Sequence, residues 1–317
     1  MPQIGSTFSG NKFSKNGHLE TILPAVFRRN VVSYTRERVP LPDTDFIDLD
    51  WLKQGNKKLL LLFHGLEGSS HSQYILGFAK YFSAHGFDIC AVNFRSCSGE
   101  PNELLSSYHS GASHDVDFIV KHINLNYSYE KLYATGFSLG GNVLLKYLGE
   151  QVYTLPQNLK SAAAFSVPID LAASSKKLSS LSNSVYMRRF LGSLNQKLYE
   201  KKTRFPDALN IDGLEKIKTF DEWDDRFTAP IHGFLGSADY YKKSSSKQFL
   251  KGISIPTLLV NAQNDPFLAA ECFPNEIEIG ENLFFESPKY GGHCGFAKSV
   301  PNGEYFSEER ALHFFSN

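Results

Sequence analysis

The segment GFSLGGN places Ser138 two residues after Gly136 and two before Gly140. A serine hydroxyl is a weak nucleophile in water and becomes a strong one only beside a base that takes its proton. The G-x-S-x-G spacing predicts a sharp turn between a strand and a helix. The glycines leave room where side chains would collide with the neighbouring strand and helix, and the unpaired amides of the helix start face the reacting group. In that geometry the amide of Leu139 is placed to donate to an oxyanion. The plain alternative is a tight βα turn with an incidental serine. The motif alone does not separate the two, and its partners must.

A base needs an orienting acid, and on a sheet of this type the chain order is serine, then acid, then histidine. Downstream of Ser138, LLVNAQNDPFL puts Asp265 just after an apolar run, and YGGHCGF puts His293 in a glycine-flanked loop after NLFFES. Each follows a strand end, so one sheet brings all three to one edge. The competing histidines are His232 and His313, neither of which follows a sheet strand, and the alternative acid, Asp239, precedes the last strand pair. Asp265 has an ordinary use as an N-cap or Asx turn before Pro266, and His293 has one as a loop histidine. Upstream, FHGLEGSS follows LLLLF, and its turn offers the amide of Leu66 as a second oxyanion donor. His64 precedes the serine, in the wrong order for the base, and is expected to support the loop by hydrogen bonds.

These residues require a sheet to hold them. Val31–Val39 and Phe46–Leu52 flank the turn-forming PLPDTD and read as a hairpin. KKLLLLFHG has an apolar run without alternation, as in a parallel strand covered on both faces. YILGFAKYFSAHG reads as a helix capped at Gly86, FDICAVNF as a strand, ASHDVDFIVKHINLN as a helix and KLYATGF as a strand. GNVLLKYLGEQV reads as a helix, and SAAAFSVPI as a strand. PTLLVNA and NLFFES resume the strands, and EYFSEERALHFF reads as a terminal helix. Alternation of this kind predicts a mostly parallel α/β sheet with right-handed crossovers. Leu171 to about Gly252 breaks the alternation and looks helical and polar. The expected organisation is a core in two parts, 1–170 and 253–317, with a helical cap insertion at 171–252 over the strand ends.

The length suits one large α/β domain with insertions, or two small domains. Of 317 residues, 33 are Lys or Arg and 33 are Asp or Glu, so there is no basic excess of the kind a nucleic-acid binder carries. Four scattered cysteines fit free thiols in a reducing compartment. The polar start has no apolar core of a signal peptide, and LLLLF is far below the roughly 20 residues of a membrane span. A soluble, cytoplasmic protein is expected. No histidine, cysteine or carboxylate spacing suggests a metal, and GFSLGG lacks the G-x-G-x-x-G of a dinucleotide site, so neither metal nor cofactor is expected.

The segments NGHLETI, HGLEGSS, NFRSCSGEPN, GFSLGGN, FTAPIHGF, SADYY, NDPFL and GGHCGF, in this order, resemble the YheT/EMB8 group of α/β-hydrolases, the group that includes the ABHD1/2/3 proteins. The resemblance spans most of the chain. It implies the α/β-hydrolase fold and carboxylester hydrolysis, with Ser138 as nucleophile, Asp265 as acid and His293 as base. Ser96 departs from the group, where NFRGCSG is usual, at some cost in loop freedom. Unlike the eukaryotic members, the chain shows no N-terminal anchor. Arg95 is read as a structural ion-pair partner, and Cys97 and Cys294 as packing residues.

Between Lys176 and Arg204 eight basic residues face one acid, Glu200, with Leu178, Leu181, Val185, Leu191, Leu194 and Leu198 at helical steps. This reads as an amphipathic helix whose basic face is solvated. Attraction of an anionic substrate and peripheral docking on an anionic membrane are the two functional alternatives. Phe234, Tyr240, Tyr241 and Phe267 are candidate lining of an acyl pocket. The sequence therefore predicts a cofactor-independent serine hydrolase acting on small carboxylic esters of short to medium acyl chain. A thioesterase or amidase with the same triad, and a non-catalytic binder of a small ligand, remain the alternatives.

Overall fold

The computed structural model describes residues 3–10, 15–298 and 303–317; residues 1, 2 and 11–14 of the polar opening stretch lie outside the described residues. The first half alternates as β1 (Gln3–Ile4), α1 (Gly17–Phe27), β2 (Thr35–Pro40), β3 (Phe46–Leu52), β4 (Lys58–Phe63), α2 (Gln73–Ser83), β5 (Phe87–Asn93), α3 (Ser113–Asn126), β6 (Lys131–Phe137), α4 (Leu139–Gly149) and β7 (Leu159–Phe165). The main helices that follow are α5 (Leu171–Leu178), α6 (Ser184–Arg204), α7 (Phe220–Trp223), α8 (Ala229–Ile231) and α9 (Ser237–Ser244). The sheet then resumes with β8 (Thr257–Val260) and β9 (Leu283–Glu286), and α10 (Phe306–Ser316) ends the chain.

The described strands form one sheet in the order β1-β9-β8-β7-β6-β4-β5-β3-β2. Its only antiparallel pairs are β2 with β3 and β3 with β5. The unbroken apolar run in β4 is explained by burial on both sides. Leu59, Leu61 and Phe63 join the core under α3 and α4, while Leu60 and Leu62 join the core under α2 and α10. At about 25 cal/mol per Å² of apolar surface, a strand buried on both faces contributes more per residue than a half-exposed one. Parallel registers such as Phe63 with Gly136 and Phe137 with Phe165 bring the strand ends to a common edge.

Two details differ from the sequence expectation. The first hairpin strand begins at Thr35 rather than Val31, because its partner runs out: Thr35 pairs with Trp51 next to the end of β3. Val31 is left 89% exposed. Gly86 adopts φ +79 but lies in the turn into β5, and α2 ends earlier with Ala84 as its cap.

Residues 171–252 hold no strand among the described residues. They build a separate apolar cluster, with Leu178, Met187, Leu191, Leu198, Leu214 and Trp223 at its centre. Phe267 joins that cluster, and Leu66 and Leu105 pack on it. These three come from the loops that follow β8, β4 and β5, so the helical segment sits on the carboxyl ends of the strands. Leu181 and Val185, which continue the apolar spacing in sequence, are exposed. No described helix is long and apolar enough to cross a membrane.

Candidate active site

Ser138 joins β6 to α4 in a conformation that L-residues rarely take, φ +52 and ψ −122. The strain is held by close packing of backbone on backbone. A Cβ on Gly140 would lie 2.3 Å from the carbonyl oxygen of His64 and 2.6 Å from that of Phe63, and one on Gly136 would lie 2.6 Å from the oxygen of Gly140. A side chain at Gly140 would push the turn away from β4, and one at Gly136 would run into the first turn of α4. The Ser138 amide donates to the Phe165 oxygen at 2.9 Å, which ties the elbow to β7. The strain is regional: Glu67, Ser166 and Cys294, in the loops after β4, β7 and β9, also have positive φ.

The expected partners come together at this turn. His293 Nε2 lies 2.9 Å from Ser138 Oγ, and His293 Nδ1 lies 2.8 Å from Asp265 Oδ2. Both side chains are withdrawn from solvent, at 11% and 0% exposure. Asp265 also keeps its ordinary use, since Oδ1 accepts from the amide of Phe267 at 2.8 Å. That bond orients the carboxylate and leaves Oδ2 for the imidazole. Burial works against charge on His293, but the adjacent Asp265 carboxylate and then Cys294 together more than offset it, so the ring holds a proton more tightly than an ordinary histidine. The Phe267 ring lies 4.3 Å from the imidazole, centroid to centroid, tilted by 40° to it.

Leu139 opens α4, so its amide is one of the helix's unpaired donors. Leu66 follows β4, and the Cβ of Ser138 lies 3.1 Å from where a Gly65 Cβ would stand. No acceptor among the described residues takes either amide, and both leucines line the cavity that reaches Ser138 and His293. His64 is fully buried, with Nδ1 bonded to the Gly65 oxygen at 2.7 Å and Nε2 accepting from the Phe94 amide at 3.2 Å. Burial pushes its pKa down to about 4, so it is a neutral brace between the loops after β4 and β5.

Sequence reasoning missed two sets of supporting residues. The first is on α1 and beside Asp265. The His293 amide donates to Thr21 Oγ1 at 2.8 Å, and the Gly292 amide donates to Asn264 Oδ1 at 3.0 Å. Asn264 Nδ2 in turn donates to Glu20 Oε2 at 2.5 Å, and the Gly291 amide reaches the same oxygen at 3.2 Å. Gly17 lets α1 approach, since a Cβ there would stand 1.9 Å from the Asn264 oxygen. The second set centres on Glu67, beside Leu66. Its amide donates to Tyr108 Oη at 2.8 Å, and its carboxylate accepts from Tyr108 Oη, Ser193 Oγ and Lys197 Nζ at 2.7, 2.5 and 2.9 Å. The loop bearing the Leu66 amide is thus held by α6. NGHLETI, NDPFL and HGLEGSS contain these residues, and motifs without chemistry of their own were the available signal.

The other singled-out residues have structural surroundings. Arg95 is buried, forks onto Asp115 at 2.7 and 2.9 Å and reaches Asp43 at 2.6 Å. Ser96 sits at φ +61, and its hydroxyl bonds Asn102, which offsets the backbone cost. The basic face of α6 is only partly solvated. Lys197 is taken by Glu67, Lys201 by Asn102 and the Leu104 oxygen, and Arg204 by Glu103, while Lys176, Lys177 and Arg188 are exposed. Phe267, Tyr240 and Tyr241 line the cavity, whereas Phe234 packs behind Tyr240. His232 also lines the cavity.

A family model described as alpha/beta hydrolase fold matches residues 58–294. The chain is 35% identical over 315 residues to YheT of Escherichia coli (strain K12), covering 93% of this chain and 92% of that one. It is 29% identical over 311 residues to the phospholipase ABHD3 of Bos taurus, covering 94% and 75%. Among solved structures, the Pyrococcus furiosus esterase Pf2001 matches with TM-score 0.59 at 15% identity, covering 92% of this chain and 96% of that one, a likeness of fold. Matches of this extent and identity mean that the chain belongs to the α/β-hydrolase family and, within it, to the YheT group.

Proposed function

We propose that this protein hydrolyses carboxylic esters of short to medium acyl chain through an acyl-enzyme on Ser138. The observation that carries the reading is the relay of two bonds, Ser138 Oγ to His293 Nε2 and His293 Nδ1 to Asp265 Oδ2. His293 takes the hydroxyl proton as Oγ attacks the carbonyl. The Asp265 carboxylate stabilises the imidazolium, and the amides of Leu66 and Leu139 receive the oxyanion. His293 then protonates the leaving alcohol. Water, deprotonated by the same imidazole, releases the acid and restores Ser138. Each step is balanced by groups of the chain and by water. The naming of a relative as a phospholipase supports ester chemistry.

Two cavities meet at Ser138 and His293. The narrower, of about 170 Å³, runs beneath α6 past Phe190, Leu198 and Trp223, and we assign it to the acyl chain. The wider, of about 450 Å³, opens between α1 and α6 past Ile22 and Arg189, and we assign it to the alcohol. Residues 171–252 act as the cap that shapes both. An engineered cavity of about 150 Å³ holds benzene, so the acyl cavity takes about six or seven carbons. In a panel of p-nitrophenyl esters, kcat/KM is expected to peak at butyrate to hexanoate and to fall at least about tenfold by laurate, the scale of one misfitted methylene in all. Thioester and anilide versions of the best acyl group, run beside it, rank the leaving group. Absence of turnover with every ester, together with no labelling of Ser138 by a fluorophosphonate, would sink the reading.

Glu67 offers a second test. Its substitution by alanine frees the loop that carries the Leu66 amide. Loss of one oxyanion donor costs about 10²- to 10³-fold in kcat, so misplacement of one is expected to cost roughly tenfold or more. KM should change much less. Glu67→Gln keeps two of the hydrogen-bonded contacts and should lie between. Steady-state kinetics beside a thermal melt separates this from simple destabilisation.

A further inference from the structure

The assigned acyl cavity is apolar near Ser138 but not throughout. Two histidines that the catalytic relay does not use, His109 and His232, line it together. Their rings lie 4.5 Å apart, centroid to centroid, and His109 packs edge-on against Phe234 at 5.5 Å and Tyr240 at 6.0 Å. They belong to distant parts of the chain. His109 comes from the loop before α3, and His232 from the turn after α8.

The hydrogen bonds fix what the pair offers. The Gly111 amide donates to His109 Nδ1 at 3.1 Å. A neutral ring with Nδ1 accepting carries its proton on Nε2, so His109 presents a donor. No described residue hydrogen-bonds either the His109 Nε2 or the His232 ring. Burial, first, and the other histidine hold His109 well below its ordinary pKa, and burial holds His232 at about 4, so both rings are neutral. Both histidines are half-buried rather than sealed in the core, so their unbonded ring nitrogens are open to whatever enters the cavity.

The nearby cations are already engaged by groups of the fold and do not point to an anion as that occupant. Lys197 and Lys201 line the cavity, but Glu67 holds the first and Asn102 with the Leu104 oxygen holds the second. The carboxyl of Asp224 also lines the wall, held by Tyr241 Oη at 2.7 Å. What fits is a neutral group that accepts from one imidazole and donates to the other. A hydroxyl does both.

We propose that His109 and His232 form a polar subsite in the acyl cavity, and that it recognises a hydroxyl on the acyl chain of the substrate. This rests on the ester-hydrolase reading and names the substrate class for it. A purely apolar pocket rejects a hydroxyl in place of a methyl by about a hundredfold. A pocket with a donor and an acceptor in place removes that penalty.

The test is an isosteric pair, p-nitrophenyl heptanoate and p-nitrophenyl 6-hydroxyhexanoate, which differ by a methyl against a hydroxyl. In the unmodified protein the hydroxy ester is expected to match or exceed heptanoate in kcat/KM. His232→Leu and His109→Leu should lower the hydroxy ester at least about tenfold, the scale of one lost hydrogen bond to a neutral partner, and leave heptanoate within about threefold. The heptanoate rate is the control for folding. His232→Leu removes no recorded hydrogen bond of the fold and decides alone should His109→Leu fail to fold. The subsite is refuted by a wild-type preference of about a hundredfold for heptanoate, or by variants that move both esters equally. Dissociation constants of the two esters for Ser138→Ala protein give the same comparison without turnover. An unmodified protein that cleaves neither ester overturns the hydrolase reading, and the binding ratio still decides the subsite.

Discussion

Replacing Ser138 by alanine is expected to lower kcat by up to about a millionfold, the scale seen when the serine of such a relay is removed, and to leave the fold in place. Oγ has one recorded partner, His293 Nε2, so its removal leaves no other group of the fold unpaired. Alanine carries the same backbone cost as serine at φ +52, and the elbow keeps the Phe165 bond and the contacts of Gly136 and Gly140. The melting temperature should therefore move by no more than a few degrees, the shift that about 1 kcal/mol produces. Ser138→Gly is a sharper variant. It is equally inactive, but glycine takes positive φ without penalty, so it should regain part of the roughly 1–3 kcal/mol held in a strained residue. An inactive but more stable glycine variant ties the strain to the nucleophile's position. Retained hydrolysis of p-nitrophenyl butyrate by the alanine variant would exclude Ser138 as nucleophile.

The sheet and the three-residue relay were legible because their signals are local. LLLLF shows a strand with two buried faces, and in GFSLGGN the glycines stand where His64, Phe63 and Gly140 leave no space for a Cβ. Asp265 and His293 are identified by following strand ends in a fixed order. What holds them is not local. Thr21 supports the His293 amide across 272 residues, and Glu20 meets Asn264 across 244. Glu67 meets Lys197 across 130. In one dimension these are an ordinary helix face, a loop acid and part of a basic run, and only the folded chain pairs them. The same reason explains the α6 face. A count of charges reads Lys197, Lys201 and Arg204 as solvated, whereas the sheet-end loops take all three. Val31 fails the other way: a β-former has strand propensity but no strand left to pair with.

That distant support bears on the second large effect. Asp265→Asn is expected to lower kcat by about 10⁴-fold, as when an asparagine holds the wrong imidazole tautomer, and also to move the pH profile. His293 acts as a base only when neutral, so kcat/KM rises with pH as the ring loses its proton. In the unmodified protein the Asp265 carboxylate, with a further contribution from Cys294, outweighs burial and raises the pKa of His293. The acid limb therefore lies above pH 6.5, the ordinary histidine value. With asparagine the carboxylate is gone while burial, which opposes the charged ring, remains. The limb should then shift to lower pH as the rate falls. The two effects have opposite signs at acid pH, so the loss is smaller below the original limb than above it. The neighbours favour a clean comparison. Asparagine's carbonyl can still accept from the Phe267 amide, and Asn264, Thr21 and Glu20 continue to hold the His293 loop. Rate profiles from pH 5 to 9 on both proteins measure it. A rate loss without movement of the limb would mean that Asp265 orients the imidazole but does not set its charge. Movement to higher pH would contradict the carboxylate's part altogether.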